Sequence, residues 1–229
     1  MARRIPENRF DELVRAATGV FIARGYRLTQ MSDVAEAVGV AKGTLYGYVE
    51  SKDALLWVCL QSADDTGPIP LPETLPIPML PQGQIGMEVK EALNAEHLQP
   101  LLSEALTRDR AEDPIEEMGG IIAELYDLMF ANRHRIKLLD RCTDHPELAH
   151  LWQTQGREQP RLAIADYIER RVAVGQIRAV PNIRLAARII IETLATWAVH
   201  IHWDKAPEIF DPDESRANAI DFLVRGLRV

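Results

Sequence analysis

Six prolines lie close together in the chain, at positions 68, 70, 72, 76, 78 and 81. Proline has no amide hydrogen and restricts the residue before it, so this stretch cannot form the interior of a helix. The sequence therefore predicts an extended connector over residues 64–86, with a structured region on each side. Isoleucine, leucine and methionine residues between the prolines predict that the connector packs against the rest of the protein; a partner-recognition motif is the alternative interpretation.

Apolar residues recur at helical spacing on both sides of the connector. Before it, Phe10, Leu13, Val14, Ala17 and Phe21 predict a helix over residues 8–24 that ends at a glycine. No comparable strand alternation is found, so the predicted fold class is all-α, with domains at 1–63 and 87–229. The further predicted helices cover about 31–38, 41–47, 51 onwards, 88–97, 100–110, 114–132, 134–142, 146–174, 182–203 and 213–227.

The charge is divided unevenly along the chain. The net charge is −8, yet residues 1–60 carry eight basic and seven acidic side chains, which gives +1 there and leaves −9 for residues 61–229. Any contact with nucleic acid must therefore be local, because the whole molecule repels a polyanion. Two cysteines are too few for a disulfide framework, and the most apolar stretch, 185–203, contains charged residues. We expect a cytoplasmic protein that does not enter a membrane.

Residues 29–46 have the plan of a helix-turn-helix. Two short predicted helices meet at Gly39, and the second presents small and polar side chains. Lys42 can meet a phosphate or a guanine edge, Gly43 allows close approach to DNA, and Thr44 and Tyr46 offer hydroxyl groups. The pattern predicts a helix that enters a major groove, although any one of these residues could instead be packed or simply solvated.

The same region resembles the TetR (tetracycline-repressor-like) family of bacterial transcriptional regulators. The resemblance covers about residues 9–60 and rests on a spaced series of residues. It implies an all-α homodimer, with an amino-terminal three-helix helix-turn-helix domain that binds operator DNA and a larger carboxy-terminal helical domain for ligand binding and dimerisation. The series comprises Phe10, Ala16, Ala17, Phe21, Gly25, Tyr26, Thr29, Val34, Ala35, Gly39, Val40, Lys42, Gly43, Thr44, Leu45, Tyr46, Tyr48, Ser51, Lys52, Asp53 and Leu55.

The resemblance also implies which residues face DNA. Three positions depart from the family's usual pattern: Gln30 replaces a common threonine, Gly47 a large or polar residue, and Val49 a phenylalanine. These departures affect the operator sequence more than the fold, and Gly47 should weaken the end of the recognition helix because glycine is a poor helix former. The DNA-facing positions are Gln30, Met31, Ala41, Lys42, Gly43, Thr44, Tyr46, Gly47, Tyr48 and Lys52.

The carboxy-terminal region carries no motif that identifies a ligand. Apolar and aromatic side chains are expected to line any effector pocket, and a carboxylate within an apolar run needs solvent or a partner, so we expect an apolar or cationic small molecule. A core position is the alternative for each residue. The effector candidates are Tyr126, Met129, Phe130, Trp152, Tyr167, Glu192 and Trp197.

The last two predicted helices are apolar enough to form a dimer interface in which each subunit contributes two helices. Such a two-fold dimer would match a palindromic operator. The alternative is that both helices serve only the monomer core. The interface candidates are Ile189, Ile190, Thr193, Leu194, Trp197, Ile220, Leu223, Val224 and Leu227.

Metal and catalytic sites are not predicted. His200 and His202 are two residues apart, which places them on different faces of a helix, and His145 and His150 are five residues apart. The sequence has no phosphate-binding loop and no glycine-flanked nucleophilic serine. We expect no cofactor and no enzyme activity, and the competing hypothesis is an all-α small-molecule-binding protein or enzyme whose helix-turn-helix is vestigial.

Overall fold

The structure is a computed structural model that describes residues 9–93, 99–206 and 208–229. Over these residues it is helical, with one isolated β-bridge between Val49 and Ile77, so the all-α prediction is confirmed. The chain forms two compact units. The first contains residues up to 91 together with 134–152, and the second contains 92–133 and 153–229.

The helices follow the predicted order closely, and most boundaries agree to within a few residues. The predicted helix at 88–97 begins earlier in the structure, and its last part lies outside the described residues. The helices are α1 (Arg9–Leu28), α2 (Met31–Val38), α3 (Lys42–Leu45), α4 (Lys52–Ser62), α5 (Gln84–Ala92), α6 (Pro100–Thr107), α7 (Pro114–Ala131), α8 (Arg133–Arg141), α9 (Ala149–Leu151), a π-helix (Trp152–Glu158), α10 (Gln159–Ala173), α11 (Ile183–Ala198), a 3₁₀-helix (His200–Trp203) and α12 (Pro212–Leu227).

The core of the first unit forms around α1, which packs against α2 and α4. Its predicted apolar stripe, from Phe10 to Phe21, is fully buried, and α4 adds Leu55, Leu56 and Cys59. Burial raises the pKa of the Cys59 thiol to about 12, so the thiol stays protonated and acts as a small apolar side chain.

The first helical segment of α1 ends at a kink at Gly25, where the sequence predicts the end of the helix. Gly25 has φ 77° and ψ 171°, and one further turn follows this kink. A side chain here would be strained, because only glycine adopts positive φ freely. A Cβ atom would also come within 2.9 Å of the Arg141 carbonyl oxygen. The kink therefore requires glycine for two independent reasons.

The proline-rich connector is non-helical up to Gly83 and packs against other residues of the first unit. The Ile77 amide donates to the Tyr48 carbonyl oxygen at 2.8 Å, and the Glu50 amide donates to the Ile77 carbonyl oxygen at 2.9 Å. Ile69 and Ile77 are buried. The connector is shorter than predicted, because α5 begins at Gln84.

Residues 134–152 belong to the first unit, which differs from the sequential division predicted from the sequence. The Asp64 carboxylate accepts the amides of His134 and Arg135 at 2.9 and 3.0 Å. The Arg135 guanidinium also donates to the Leu60 and Gln61 carbonyl oxygens at the end of α4. These bonds join residues more than sixty positions apart, so periodicity along the chain does not predict them.

In the second unit, α11 packs against α7, α10 and α12. The predicted helix starts are confirmed at Asp113 and Asn182, whose side chains accept backbone amides of the first turn. Two long predicted helices are interrupted. The 146–174 prediction contains the π-helix, and the 182–203 prediction ends at Ala198 before the 3₁₀-helix.

A buried arginine joins three parts of the second unit. The guanidinium of Arg171 pairs with Glu117 at 2.9 Å and donates to the carbonyl oxygens of Ala105 at 2.8 Å and Arg108 at 3.0 Å. Arg171 is fully buried, so its charge needs these partners. Tyr167 lies beside it, and burial raises the pKa of the Tyr167 hydroxyl.

Candidate DNA-binding surface

Helix α2 is held at both ends by local hydrogen bonds. Gln30 precedes the helix, and its amide donates to the Asp33 carboxylate at 2.8 Å, which forms half of a capping box. Gly39 adopts the left-handed conformation at the other end, with φ 72°. The Val40 amide then donates to the Ala35 carbonyl oxygen at 2.9 Å. Gly39 therefore makes the turn that leads into α3.

Helix α3 is short and has one buried side. Leu45 is fully buried and fixes the helix against the core, whereas Lys42, Gly43 and Thr44 are exposed. Tyr46 is 42% exposed, and the Lys42 Nζ lies 6.0 Å from the centroid of its ring. The exposed side thus carries a cation, two hydroxyl groups and a glycine, which are suitable for a DNA groove.

Seven of the ten predicted DNA-facing residues lie on this exposed surface, whereas Met31 and Tyr48 are buried and Lys52 is half-buried. Met31 is only 7% exposed and Tyr48 only 3%, and the Tyr48 ring stacks on Phe10 with centroids 6.1 Å apart. Both side chains belong to the core, because an apolar or aromatic body at a helix junction gains more from burial than from solvent. The exposed members are Gln30, Ala41, Lys42, Gly43, Thr44, Tyr46 and Gly47.

Lys52 has internal partners that the sequence did not predict. Its Nζ donates to the carbonyl oxygens of Tyr26 at 2.9 Å and Thr29 at 3.1 Å, and it lies 4.1 Å from the centroid of the Tyr26 ring. Two of its three N–H donors are therefore used within the protein. Lys52 therefore links the start of α4 to the turn between α1 and α2, and its contacts stabilise the position of the helix-turn-helix.

His145 lies in the same part of the first unit and is buried. Its ring contacts the Tyr26 ring edge-on, with centroids 4.6 Å apart, and the Glu147 amide donates to its Nδ1 at 3.2 Å. The Nε2 lies 3.7 Å from the Asp53 carboxylate, which also accepts the Tyr26 hydroxyl. Nδ1 must be unprotonated to accept this amide, so the contacts favour the neutral ring.

We expect acid to destabilise the first unit through His145. Burial lowers the pKa of His145 below its ordinary value of 6.5 and Lys52 lowers it further, whereas Asp53, Glu147 and Asp144 oppose the shift. A lowered pKa in the folded state means that this contribution to stability is present above pH 6.5 and is lost as pH falls below it.

The measurement is the free energy of unfolding between about pH 7 and about pH 5.5, the range in which histidine titrates. The wild type should lose more stability than His145→Gln over this range. His150→Gln, which changes an exposed histidine, is the matched control and should follow the wild type. Equal slopes for all three proteins would contradict the assignment.

The predicted effector residues are divided between the two units. Trp152 lies in the first unit, where its Nε1 donates to Asp140 at 3.3 Å, while the other candidates lie in the second. Tyr126 and Tyr167 are buried, and Tyr126 stacks near Phe130 with centroids 6.4 Å apart. These positions correspond to the alternative of a core role. The sequence pattern could not separate the two, because core and pocket walls use the same apolar residues.

Glu192 forms ion pairs with two arginines. Its carboxylate lies 3.5 Å from Arg188 and 3.9 Å from Arg157, and its side chain is about half exposed. A carboxylate within an apolar run needed solvent or a partner, and it has both. No ligand is required to explain this residue.

The predicted dimer residues divide between core and surface. Ile190, Leu194, Leu223 and Leu227 are buried within the subunit, so the alternative of a core role holds for them. Ile189 is 53% exposed. The other four, Thr193, Trp197, Ile220 and Val224, are partly exposed.

Two further exposed apolar side chains lie on the same pair of helices: Leu185 on α11 and Phe222, which is 78% exposed, on α12. A cavity of about 580 Å³ opens between these helices, with Trp197, Phe210 and Phe222 among its lining residues. The sequence pattern does not identify Phe222 as an exposed interface residue, because it directly precedes Leu223 in the buried stripe of α12.

The comparison with known families concerns the amino-terminal helices. Residues 13–57 match the family model described as bacterial regulatory proteins, tetR family. These residues run from within α1 to within α4 and include the complete helix-turn-helix. The amino-terminal helices thus carry a helix-turn-helix of the TetR-family type. This match and the similarity to a curated repressor support a DNA-binding transcriptional regulator, as the resemblance implies.

Similarity to individual TetR-family proteins extends over most of the chain. The HTH-type transcriptional repressor KstR2 of Mycolicibacterium smegmatis is 24% identical over 87% of this chain and 81% of its own. The structure of ketosteroid transcriptional regulator KstR2 of Mycobacterium tuberculosis has a TM-score of 0.56 at 16% identity, covering 99% of this chain and 97% of that one. The structure of AibR in complex with isovaleryl coenzyme A and operator DNA has a TM-score of 0.53 at 16% identity, covering 94% and 98%. At these identities the structures establish a shared fold.

Other kinds of site were also sought in the described ranges. No helix there is both long enough and apolar enough to cross a membrane. The same residues contain no group of three or more histidine, cysteine, aspartate or glutamate side chains that could hold a metal ion.

Proposed function

We propose that this TetR-family regulator is a repressor that binds a palindromic operator as a homodimer and is released by a small-molecule effector. The observation that carries the proposal is the surface of α3, where Lys42, Gly43, Thr44 and Tyr46 are exposed while Leu45 is buried. Residues 1–63 provide DNA binding and residues 87–229 provide effector binding and dimerisation. The relative KstR2 is named as a transcriptional repressor, which supports repression and not activation.

Fewer residues are proposed to contact DNA than the sequence predicted. We propose Gln30, Ala41, Lys42, Gly43, Thr44, Tyr46 and Gly47 as DNA-facing residues, because all are exposed. Lys42 contacts phosphate or a guanine edge, and the Tyr46 ring lies beside it, with its centroid 6.0 Å from the Lys42 Nζ. Few cations suffice for an acidic protein when each is well placed.

The exposed apolar side chains of α11 and α12 support dimerisation. Leu185, Ile189 and Phe222 would lose solvent contact if two copies paired these helices around a two-fold axis. Such a dimer presents two copies of α3, which matches half-sites about one helical turn of DNA apart or a multiple of this spacing.

The effector is proposed to be largely apolar. The structure of AibR holds isovaleryl coenzyme A, and KstR2 is described as a ketosteroid transcriptional regulator. Isovaleryl and steroid groups are both largely apolar, which supports this class of effector. An effector can release the operator only if it binds the two conformations with different affinity.

The first experiment is selection of bound duplexes from a random DNA pool by the purified protein, followed by affinity measurement at two salt concentrations. A palindromic sequence whose affinity falls with salt supports the proposal, because phosphate contacts release counterions. No enrichment and no salt dependence would instead favour the competing hypothesis, in which the helix-turn-helix is vestigial and the second unit alone binds a small molecule.

A further inference from the structure

The turn that follows α8 contacts the backbone of α1 on both sides of the Gly25 kink. The Arg141 guanidinium donates to the Ile22 and Ala23 carbonyl oxygens at 2.8 and 3.1 Å. The Asp144 carboxylate accepts the Tyr26 and Arg27 amides at 3.1 and 2.8 Å. We refer to residues 141–144 as the clasp turn.

These contacts compensate for what the kink removes. The kink interrupts the hydrogen-bond ladder of α1, which leaves carbonyl oxygens before it and amides after it without helical partners. Arg141 supplies donors to the first set, and Asp144 supplies two acceptor oxygens to the second. The charges also have the favourable sign, since a cation faces a helix carboxyl end and an anion faces the start of a new turn.

The turn after the kink leads directly into the DNA-binding surface. The Thr29 hydroxyl donates to the Gly25 carbonyl oxygen at 2.7 Å, and α2 begins two residues later. The direction in which this turn leaves Gly25 therefore sets the direction of α2, and α3 follows through the Gly39 turn.

We propose that Arg141 and Asp144 are positioning residues for operator binding, although they lie outside the helix-turn-helix in sequence. By holding both sides of the kink, they fix the orientation of α2 and α3. The clasp turn lies in residues 134–152, which belong to the first unit and are joined at both ends to stretches of the second. The inference rests on operator binding as proposed above.

The test compares Asp144→Ala with Thr143→Ala, which changes a neighbouring exposed residue of the clasp turn whose hydroxyl donates to the Asp140 carbonyl oxygen. Both affinities, for the selected operator and for an unrelated duplex, are measured at a temperature at which every variant is folded by circular dichroism. Asp144→Ala should lower operator affinity about tenfold, as expected for lost hydrogen bonds to a charged group. Affinity for the unrelated duplex should change less than about twofold, because phosphate contacts remain.

Two more variants separate positioning from general destabilisation. Asp144→Glu keeps both acceptor oxygens and should recover part of the operator affinity. Gly25→Ala disturbs the kink from the other side, since its Cβ would meet the Arg141 carbonyl oxygen, and should reproduce the loss. Hydrogen exchange without DNA should be faster at the Tyr26 and Arg27 amides in Asp144→Ala than in Thr143→Ala.

The outcomes distinguish this inference from the proposed function. If the wild type selects an operator but Asp144→Ala and Gly25→Ala retain its preference over the unrelated duplex, the positioning role is wrong and the proposed function stands. If exchange at Tyr26 and Arg27 is also unchanged, the clasp contacts themselves are refuted. If the wild type selects no operator, both proposals fail.

Discussion

Phe222→Asp is expected to convert the dimer into monomers and to lower operator affinity by about a hundredfold or more. Phe222 is 78% exposed on α12, beside the cavity lined by Trp197 and Phe210. In the proposed dimer its ring would be buried, and a carboxylate there would be desolvated against apolar groups. Operator affinity falls because two linked recognition helices bind far more tightly than one.

Sedimentation velocity across a range of concentrations measures the dimer, and titration of the selected operator measures affinity. Met87→Asp is the matched control, because Met87 is an exposed apolar residue on α5, outside the proposed interface. It should remain dimeric and bind normally. A folded Phe222→Asp protein that stays dimeric at the same concentrations would mean that the two copies pair through another surface.

The helices could be predicted because local signals agree along the chain. The apolar stripe of α1, the left-handed glycine at Gly39 and the capping side chains of Asp113 and Asn182 each mark a position that the structure reproduces. The kink at Gly25 could not be predicted as such, because a glycine after an apolar stripe also marks an ordinary helix end. Its stabilising partners are more than a hundred residues away.

The site was predictable in outline but not in detail. The motif predicts that α3 exposes Lys42, Gly43, Thr44 and Tyr46, and these residues are exposed in the structure. It could not determine which neighbours are buried, since Met31, Tyr48 and Lys52 depend on contacts with α1 and the connector. The sequence pattern likewise does not distinguish buried from exposed apolar residues on the last two helices, so it does not identify Phe222.

Lys42→Ala is expected to weaken operator binding at least about tenfold and to reduce its salt dependence. Each lysine that neutralises a phosphate contributes about 0.9 to the slope of log affinity against log salt, so loss from both subunits should lower that slope by about 1.8. Tyr46→Ala should reduce the preference for the selected operator with little change in slope, because Tyr46 is uncharged and exposed on the same side of α3.

Lys90→Ala is the matched control for charge, since Lys90 is an exposed lysine on α5, outside the helix-turn-helix. If the net charge of the protein determined affinity, Lys42→Ala and Lys90→Ala would weaken binding equally, because each removes one positive charge per subunit from a chain with a net charge of −8. If the local surface of α3 determines affinity instead, only Lys42→Ala should lower the slope of log affinity against log salt. If Lys42→Ala is folded and dimeric but the slope of log affinity against log salt is unchanged, Lys42 does not contact phosphate. If only Tyr46→Ala then loses the preference for the selected operator, recognition depends on the uncharged part of α3.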